Sequence, residues 1–118
     1  MEPFSKEEGV KHDDIKPPLG LLSTYALTET AKVLAFGAEK YAEDNWRQGL
    51  SYRRLVSAAL RHILAFNEGQ DEDPETELPH LAHAMCMIMF ALELSATNPD
   101  LDDRYKHQGE IPWLDSLQ

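Results

Sequence analysis

The densest set of potential ligands in this 118-residue chain lies between Glu68 and His83. Six of the ten residues from Glu68 to Glu77 are acidic, Pro74 and Pro79 punctuate the run, and His80 and His83 follow at once. The run reads as a loop. The two histidines, three apart at the start of a helix, then point to a similar side. Carboxylate oxygen suits Mg²⁺ and Mn²⁺, while imidazole nitrogen suits Mn²⁺, Fe²⁺ and Zn²⁺. Asp73, Glu75, His80 and His83 are therefore candidate metal ligands. His62 joins them, because it falls between Ala59 and Phe66 on the inward stripe of the preceding helix. In an antiparallel pair it sits about two turns from the junction, within reach of His83. A plainer arrangement uses the same residues: solvated carboxylates, and histidines that only line or cap their helices.

A second group runs from Gly37 to Arg47 and contains Glu39, Lys40, Tyr41, Asn45, Trp46 and Arg47. Aromatic faces stack on nucleobases, Lys and Arg hold phosphates, and an Asn amide reads base or sugar edges. The alternative is a helix end whose aromatics fill the core. Arg61 brings a guanidinium towards the same cleft, although neighbouring helical positions diverge by about 100°, so it and His62 are not both central.

Three helices must position these groups. The first begins near Ser23 or Thr24, with Leu27, Ala31, Leu34, Ala38 and Tyr41 as its stripe. Ser51 is the expected N-cap of the second, where Leu55, Ala59, His62 and Phe66 repeat the spacing and Gly69 ends it. The third starts near Pro79, shows Leu81, Met85, Ile88 and Leu92 as its stripe with Met89 and Leu94 widening the buried arc, and stops at Asn98-Pro99. No segment alternates with period two, so the fold class is all-α, a helical bundle of three main helices completed by oligomerisation. Residues 1–20 read as an extended arm closed by Pro17-Pro18, 21–98 as the helical domain, and 99–118 as a tail that is disordered or docks through its aromatic end.

Charge and composition narrow the function. With 11 Lys+Arg against 21 Asp+Glu the formal net charge is −10, which disfavours a nucleic-acid polymer or an anionic membrane as partner. The single cysteine, Cys86, excludes an internal disulfide and lies in an apolar run that marks it as core. The charged N-terminus lacks a signal-peptide core, and the stretch from Met85 to Leu92 is too short to span a bilayer. A soluble, cytoplasmic protein is the expectation. There is no phosphate-cradling glycine loop, no HExxH and no Gly-x-Ser-x-Gly.

The order of motifs is distinctive: Lys11-His12-Asp13-Asp14…Lys16-Pro17-Pro18, Gly37-Ala38-Glu39-Lys40-Tyr41…Asn45-Trp46-Arg47, Ala59-Leu60-Arg61-His62, Asp71-Glu72-Asp73-Pro74-Glu75-Thr76 and His80-Leu81-Ala82-His83-Ala84. It resembles a phage-borne family of dATP/dGTP diphosphohydrolases, similar in general plan to the MazG-like all-α nucleoside triphosphate pyrophosphatases. The resemblance implies a divalent-metal enzyme, using Mg²⁺ or Mn²⁺, that releases pyrophosphate from a purine deoxynucleoside triphosphate in the host cytoplasm. It also implies a homodimer or homotetramer. The Glu-Glu-x-x-Glu and Glu-x-x-Asp of MazG-like enzymes are missing, and Glu39, the acidic loop and His80/His83 are the nearest substitutes. On this resemblance His62, Asp73, Glu75, His80 and His83 supply ligands, and Glu39, His62 and Glu75 are the candidates for catalysis. Lys11, Lys16, Lys40, Arg47 and Arg61 are candidates for the phosphates, and Tyr41, Asn45 and Trp46 for base or sugar. A protein that sequesters a nucleotide without cleaving it uses the same scaffold and is the alternative.

Overall fold

The computed structural model describes residues 16–118. Its frame is α1 (Thr24–Tyr41), α2 (Tyr52–Asn67) and α3 (His80–Thr97). Among the described residues there is no strand, only an isolated bridge between Glu72 and Pro79. The described residues are all-α. Ser23 caps α1, its hydroxyl accepting the Ala26 N–H at 3.1 Å, which satisfies one of the donors a first helical turn leaves open. Gly69, at φ +99°, closes α2, and the N–H groups of Gly69 and Gln70 bond back to the Phe66 and Ala65 carbonyls. That left-handed turn suits glycine because it carries no Cβ.

Helices α2 and α3 form an antiparallel pair. The Tyr52 hydroxyl at the start of α2 reaches the carbonyl oxygens of Leu94 and Asn98, each at 3.2 Å, at the end of α3. At the other end His62 meets His80. Between these ties Leu55 packs with Ala82, Cys86, Phe90 and Leu94, which recur every four residues along α3. Helix α1 packs mainly on α3, contributing Val33 to the same core.

The inward face of α3 is not the stripe its periodicity predicts. Leu81, Met85, Ile88 and Leu92 are exposed, Leu92 by 72%, and so is Met89, whereas Leu94 at the edge of the expected arc is buried, 1% exposed. The reason is composition: α3 holds a single formally charged residue, Glu93, in 18 positions. A helix that is apolar all round has no polar face to mark which side is out. The same correction applies to α1, where Leu27 and Tyr41 face solvent and Thr30 and Val33 are buried. By length and composition α3 is apolar enough to cross a membrane, yet it packs against both other helices and buries His80 and His83.

The link from α1 to α2 folds onto the core through Asn45–Gln48, a single 3-10 turn. Trp46 stacks on Phe90 at 4.4 Å between ring centroids. Gly49 sits at φ +121°, where a Cβ would lie 3.1 Å from Leu101. The tail docks through its beginning rather than its aromatic end. Leu101 packs on the core, Asp103 accepts the Arg53 N–H at 2.9 Å, and Tyr105, His107 and Trp113 pack edge-on with one another while Tyr105 and Trp113 remain exposed. Most of the arm expected for residues 1–20 lies outside the described residues. Its end, Leu19–Leu21, is a 3-10 turn.

Leu94 fills the centre of this core, so Leu94→Ala is expected to cost about 2–5 kcal/mol. Urea unfolding measures it. A loss below about 0.5 kcal/mol, the range of surface substitutions, would contradict the assignment of this face as the interior.

Candidate functional site

The junction of α2 and α3 gathers three candidate ligands from three segments. His62 comes from the last third of α2, Asp73 from the connecting loop and His80 from the first residue of α3. The Nδ1 atoms of His62 and His80 lie 2.8 Å apart, and an Asp73 carboxylate oxygen, Oδ2, lies 3.9 Å from His62 Nδ1. One donor atom from each of the three falls within 4.8 Å of the others. Two ligands at right angles on an ion with bonds of about 2.1 Å stand about 3.0 Å apart. The two imidazole nitrogens meet that spacing, and two imidazoles with one carboxylate are a donor set that fits a divalent ion.

The loop is built to hold Asp73 still. Its other oxygen, Oδ1, accepts the backbone N–H groups of Glu75 at 2.8 Å and Thr76 at 3.1 Å, so Oδ2 is the oxygen left to act. Glu77 takes a left-handed φ of +59° and its N–H bonds to the Asp73 carbonyl at 2.8 Å. Such a conformation is uncommon outside glycine and asparagine. It turns the chain so that the Asp73 N–H donates to the Leu78 carbonyl and the His80 N–H to that of Asp71.

His83 supports the cluster without joining its converging atoms. Its ring stacks on His62 at 4.5 Å and 8°, and its Nε2 is taken up by the Thr76 hydroxyl at 2.7 Å. Glu75 also stays outside the set, exposed and 4.0 Å from the Lys40 ammonium. Burial pushes the His62 imidazole below its ordinary range, with His83 and His80 adding to the effect. Burial does the same at His83. At Asp73 burial acts upward, but the backbone donors of Thr76 and Glu75 outweigh it and hold the carboxyl below the usual range. Burial raises the Cys86 thiol to about 11, which leaves it inert at neutral pH.

A groove of about 1010 Å³ runs from this cluster between α1, the Ala42–Arg47 link and α3. That is the size of a large small-molecule cleft. His62, Asp73, Glu75 and His83 line one part of it, and Lys40, Tyr41, Asn45, Trp46 and Arg47 another. The second sequence constellation therefore faces the first. Arg47 is already committed, to Asp44 at 2.8 Å and to Glu93, and lies over the Trp46 ring. Trp46 itself is partly buried on Phe90. These two build the wall. Arg54, on the first turn of α2, also lines the groove and makes no ion pair among the described residues. It carries no short motif, and only the helix pairing reveals it. Gln70 was equally hidden: its Oε1 lies 2.6 Å from His80 Nε2. Glu39 and Arg61 are exposed and do not line the groove, nor does Lys16, while Lys11 lies outside the described residues.

The family model described as dATP/dGTP diphosphohydrolase, N-terminal, matches residues 6–104. The chain belongs to this family. The matched span includes both helices of the His62–Asp73–His80 cluster, its loop and the groove, and ends where the tail leaves the core. A dATP/dGTP diphosphohydrolase of Salmonella phage PMBT28 is 44% identical over 96 residues, covering 81% of this chain and 33% of the relative. The chain thus spans about a third of the length of that curated family member. No solved structure matches it.

The depressed imidazoles set a sign for stability. Below about pH 6.5 the unfolded chain takes up protons that folded His62 and His83 resist, so stability is present above that pH and falls as acid carries it towards the folded values. The urea midpoint of metal-free protein is expected to be lower at about pH 5.5 than at about pH 7.5. The difference should shrink in the double variant His62→Gln/His83→Gln. Equal midpoints in the unmodified chain would contradict the assignment.

Proposed function

We propose that this chain is a divalent-metal-dependent pyrophosphohydrolase domain that converts dATP or dGTP to the monophosphate and pyrophosphate. The observation that carries the reading is the convergence of His62, Asp73 and His80 beside a groove lined by cations and aromatic rings, in a member of the dATP/dGTP diphosphohydrolase N-terminal family. His62, Asp73 and His80 would hold the ion, Mg²⁺ or Mn²⁺. When bound, such an ion supplies positive charge against the phosphates and makes water a better nucleophile.

The remaining groups divide by what they have left to offer. Lys40 and Arg54 are exposed cations on the groove and take the phosphates. Arg47 shapes the wall through Asp44 and Glu93. Tyr41 and Asn45 are exposed on the same groove and contact base or sugar. Glu75, exposed beside Lys40, accepts the proton of the water whose oxygen bonds to the α-phosphorus. The bond from that phosphorus to the oxygen bridging to the β-phosphate breaks, and pyrophosphate leaves with the electron pair. With a net charge of −10 the chain acts on free nucleotides in the cytoplasm of an infected cell, not on a nucleic-acid polymer or a membrane.

Purified protein with Mn²⁺ or Mg²⁺ is expected to yield dAMP or dGMP and pyrophosphate, resolved by chromatography. Asp73→Asn keeps the acceptor for the loop N–H groups but removes the charge. It and His80→Ala should each lower turnover by about a hundredfold or more with the helical signal intact. Nucleotide retained but recovered uncleaved would establish the sequestering alternative instead. Full activity in both variants would place the site elsewhere.

The exposed apolar faces support self-association. Val56, Leu60, Ile88 and Leu92 on α2 and α3 all lie open. A dimer or tetramer closed over these faces would complete the core. Light scattering should give a multiple of the 13.4 kDa chain mass, falling to one chain in Ile88→Glu. A monomer in the unmodified protein would contradict this.

A further inference from the structure

We propose that Gln70 is a positioning residue that fixes the tautomer of His80 and so makes the cluster a nitrogen-donor site selecting Mn²⁺ over Mg²⁺. The inference deepens the metal-dependent reading above and rests on it for the presence of an ion. Its evidence is the contact of 2.6 Å between Gln70 Oε1 and His80 Nε2. A carboxamide oxygen only accepts, so the tautomer that makes this hydrogen bond carries its proton on Nε2 and its lone pair on Nδ1. That Nδ1 faces His62 Nδ1 at 2.8 Å, on the side where Asp73 Oδ2 converges.

The Gln70 side chain is free to do this because its backbone is placed independently. Gly69 turns the chain at φ +99° and the Gln70 N–H is held by the Ala65 carbonyl at 3.1 Å. His80 is likewise fixed from behind: it is 4% exposed and its own N–H bonds to the Asp71 carbonyl. A ring so held presents one nitrogen in one direction. Outer hydrogen bonds of this kind set ligand orientation and basicity in metal sites. Two imidazole nitrogens and one carboxylate oxygen suit Mn²⁺ and its first-row neighbours, whereas Mg²⁺ favours oxygen and sheds its waters reluctantly.

Nitrogen-15 NMR of the metal-free protein at neutral pH reads the His80 tautomer, and calorimetry with Mn²⁺ or Mg²⁺ alone, without nucleotide, reads affinity. The unmodified chain is expected to show His80 protonated at Nε2 and to bind Mn²⁺ about tenfold or more tighter than Mg²⁺. Gln70→Leu should lose the tautomer preference and weaken Mn²⁺ binding about 10–100-fold, and Gln70→Glu, which still accepts, should stay close to the unmodified chain. His80 protonated at Nδ1, Mg²⁺ bound as tightly as Mn²⁺, or unchanged Mn²⁺ affinity in Gln70→Leu would each overturn the proposal. So would the absence of Mn²⁺ binding. Cleavage of dGTP alongside any of these results leaves the proposed reaction standing, and Gln70-dependent Mn²⁺ binding without cleavage removes the reaction and keeps the site.

Discussion

Two imidazole nitrogens 2.8 Å apart leave room for one proton between them, or for an ion drawing on both lone pairs. The approach of His62 to His80 is the contact on which the rest of the site depends, and a bundle core produces it. Leu55 against the Ala82, Cys86, Phe90 and Leu94 row sets the register of α2 on α3. The Tyr52 hydroxyl ties the far end to the Leu94 and Asn98 carbonyls. With one end pinned and the row packed, the near end has little freedom. His62 and His80 meet there, and the acidic loop must close over them.

That loop converts a polar run into a fixed carboxylate. Most of its acidic residues stay in solvent, including Glu72, Glu75 and Glu77. Asp73 differs because two backbone N–H groups hold one of its oxygens, which stabilises the charged form and aims the other oxygen inward. His83 and Thr76 then brace the His62 ring from the side. The result is a small polar centre at one part of a groove that also carries the exposed cations Lys40 and Arg54.

How much of this was legible in the sequence follows from which signals were local. Helix boundaries were, because Ser23, Gly69 and Pro79 punctuate the chain by short-range chemistry. Stripe position and antiparallel pairing also bring His62 to about two turns from the junction, within reach of His83, but they do not pick out Asp73 and His80 from the other acidic and histidine residues there as its neighbours. The inner face of α3 was not legible: with one charge in 18 residues, periodicity could name a stripe without saying which side it faced. The small Ala82 and Cys86, which let α2 approach, decided the matter over the larger Leu81, Met85, Ile88 and Leu92. Gln70 and Arg54 carry no local signal, because the contact of one with His80 and the place of the other on the groove arise only across the helix pair. Glu39 is a carboxylate beside a cation and an aromatic ring in the sequence, yet it is exposed and does not line the groove.

The groove and the cluster make one claim together: an ion at the α2–α3 junction, with the phosphates of a nucleotide beside it. The most direct measurement is an anomalous difference map from crystals grown with Mn²⁺. The account predicts a single strong peak within bonding distance of His62 Nδ1, His80 Nδ1 and the Asp73 carboxylate. A peak held instead by Glu75 with its acidic neighbours, with none between the two histidines, would contradict it.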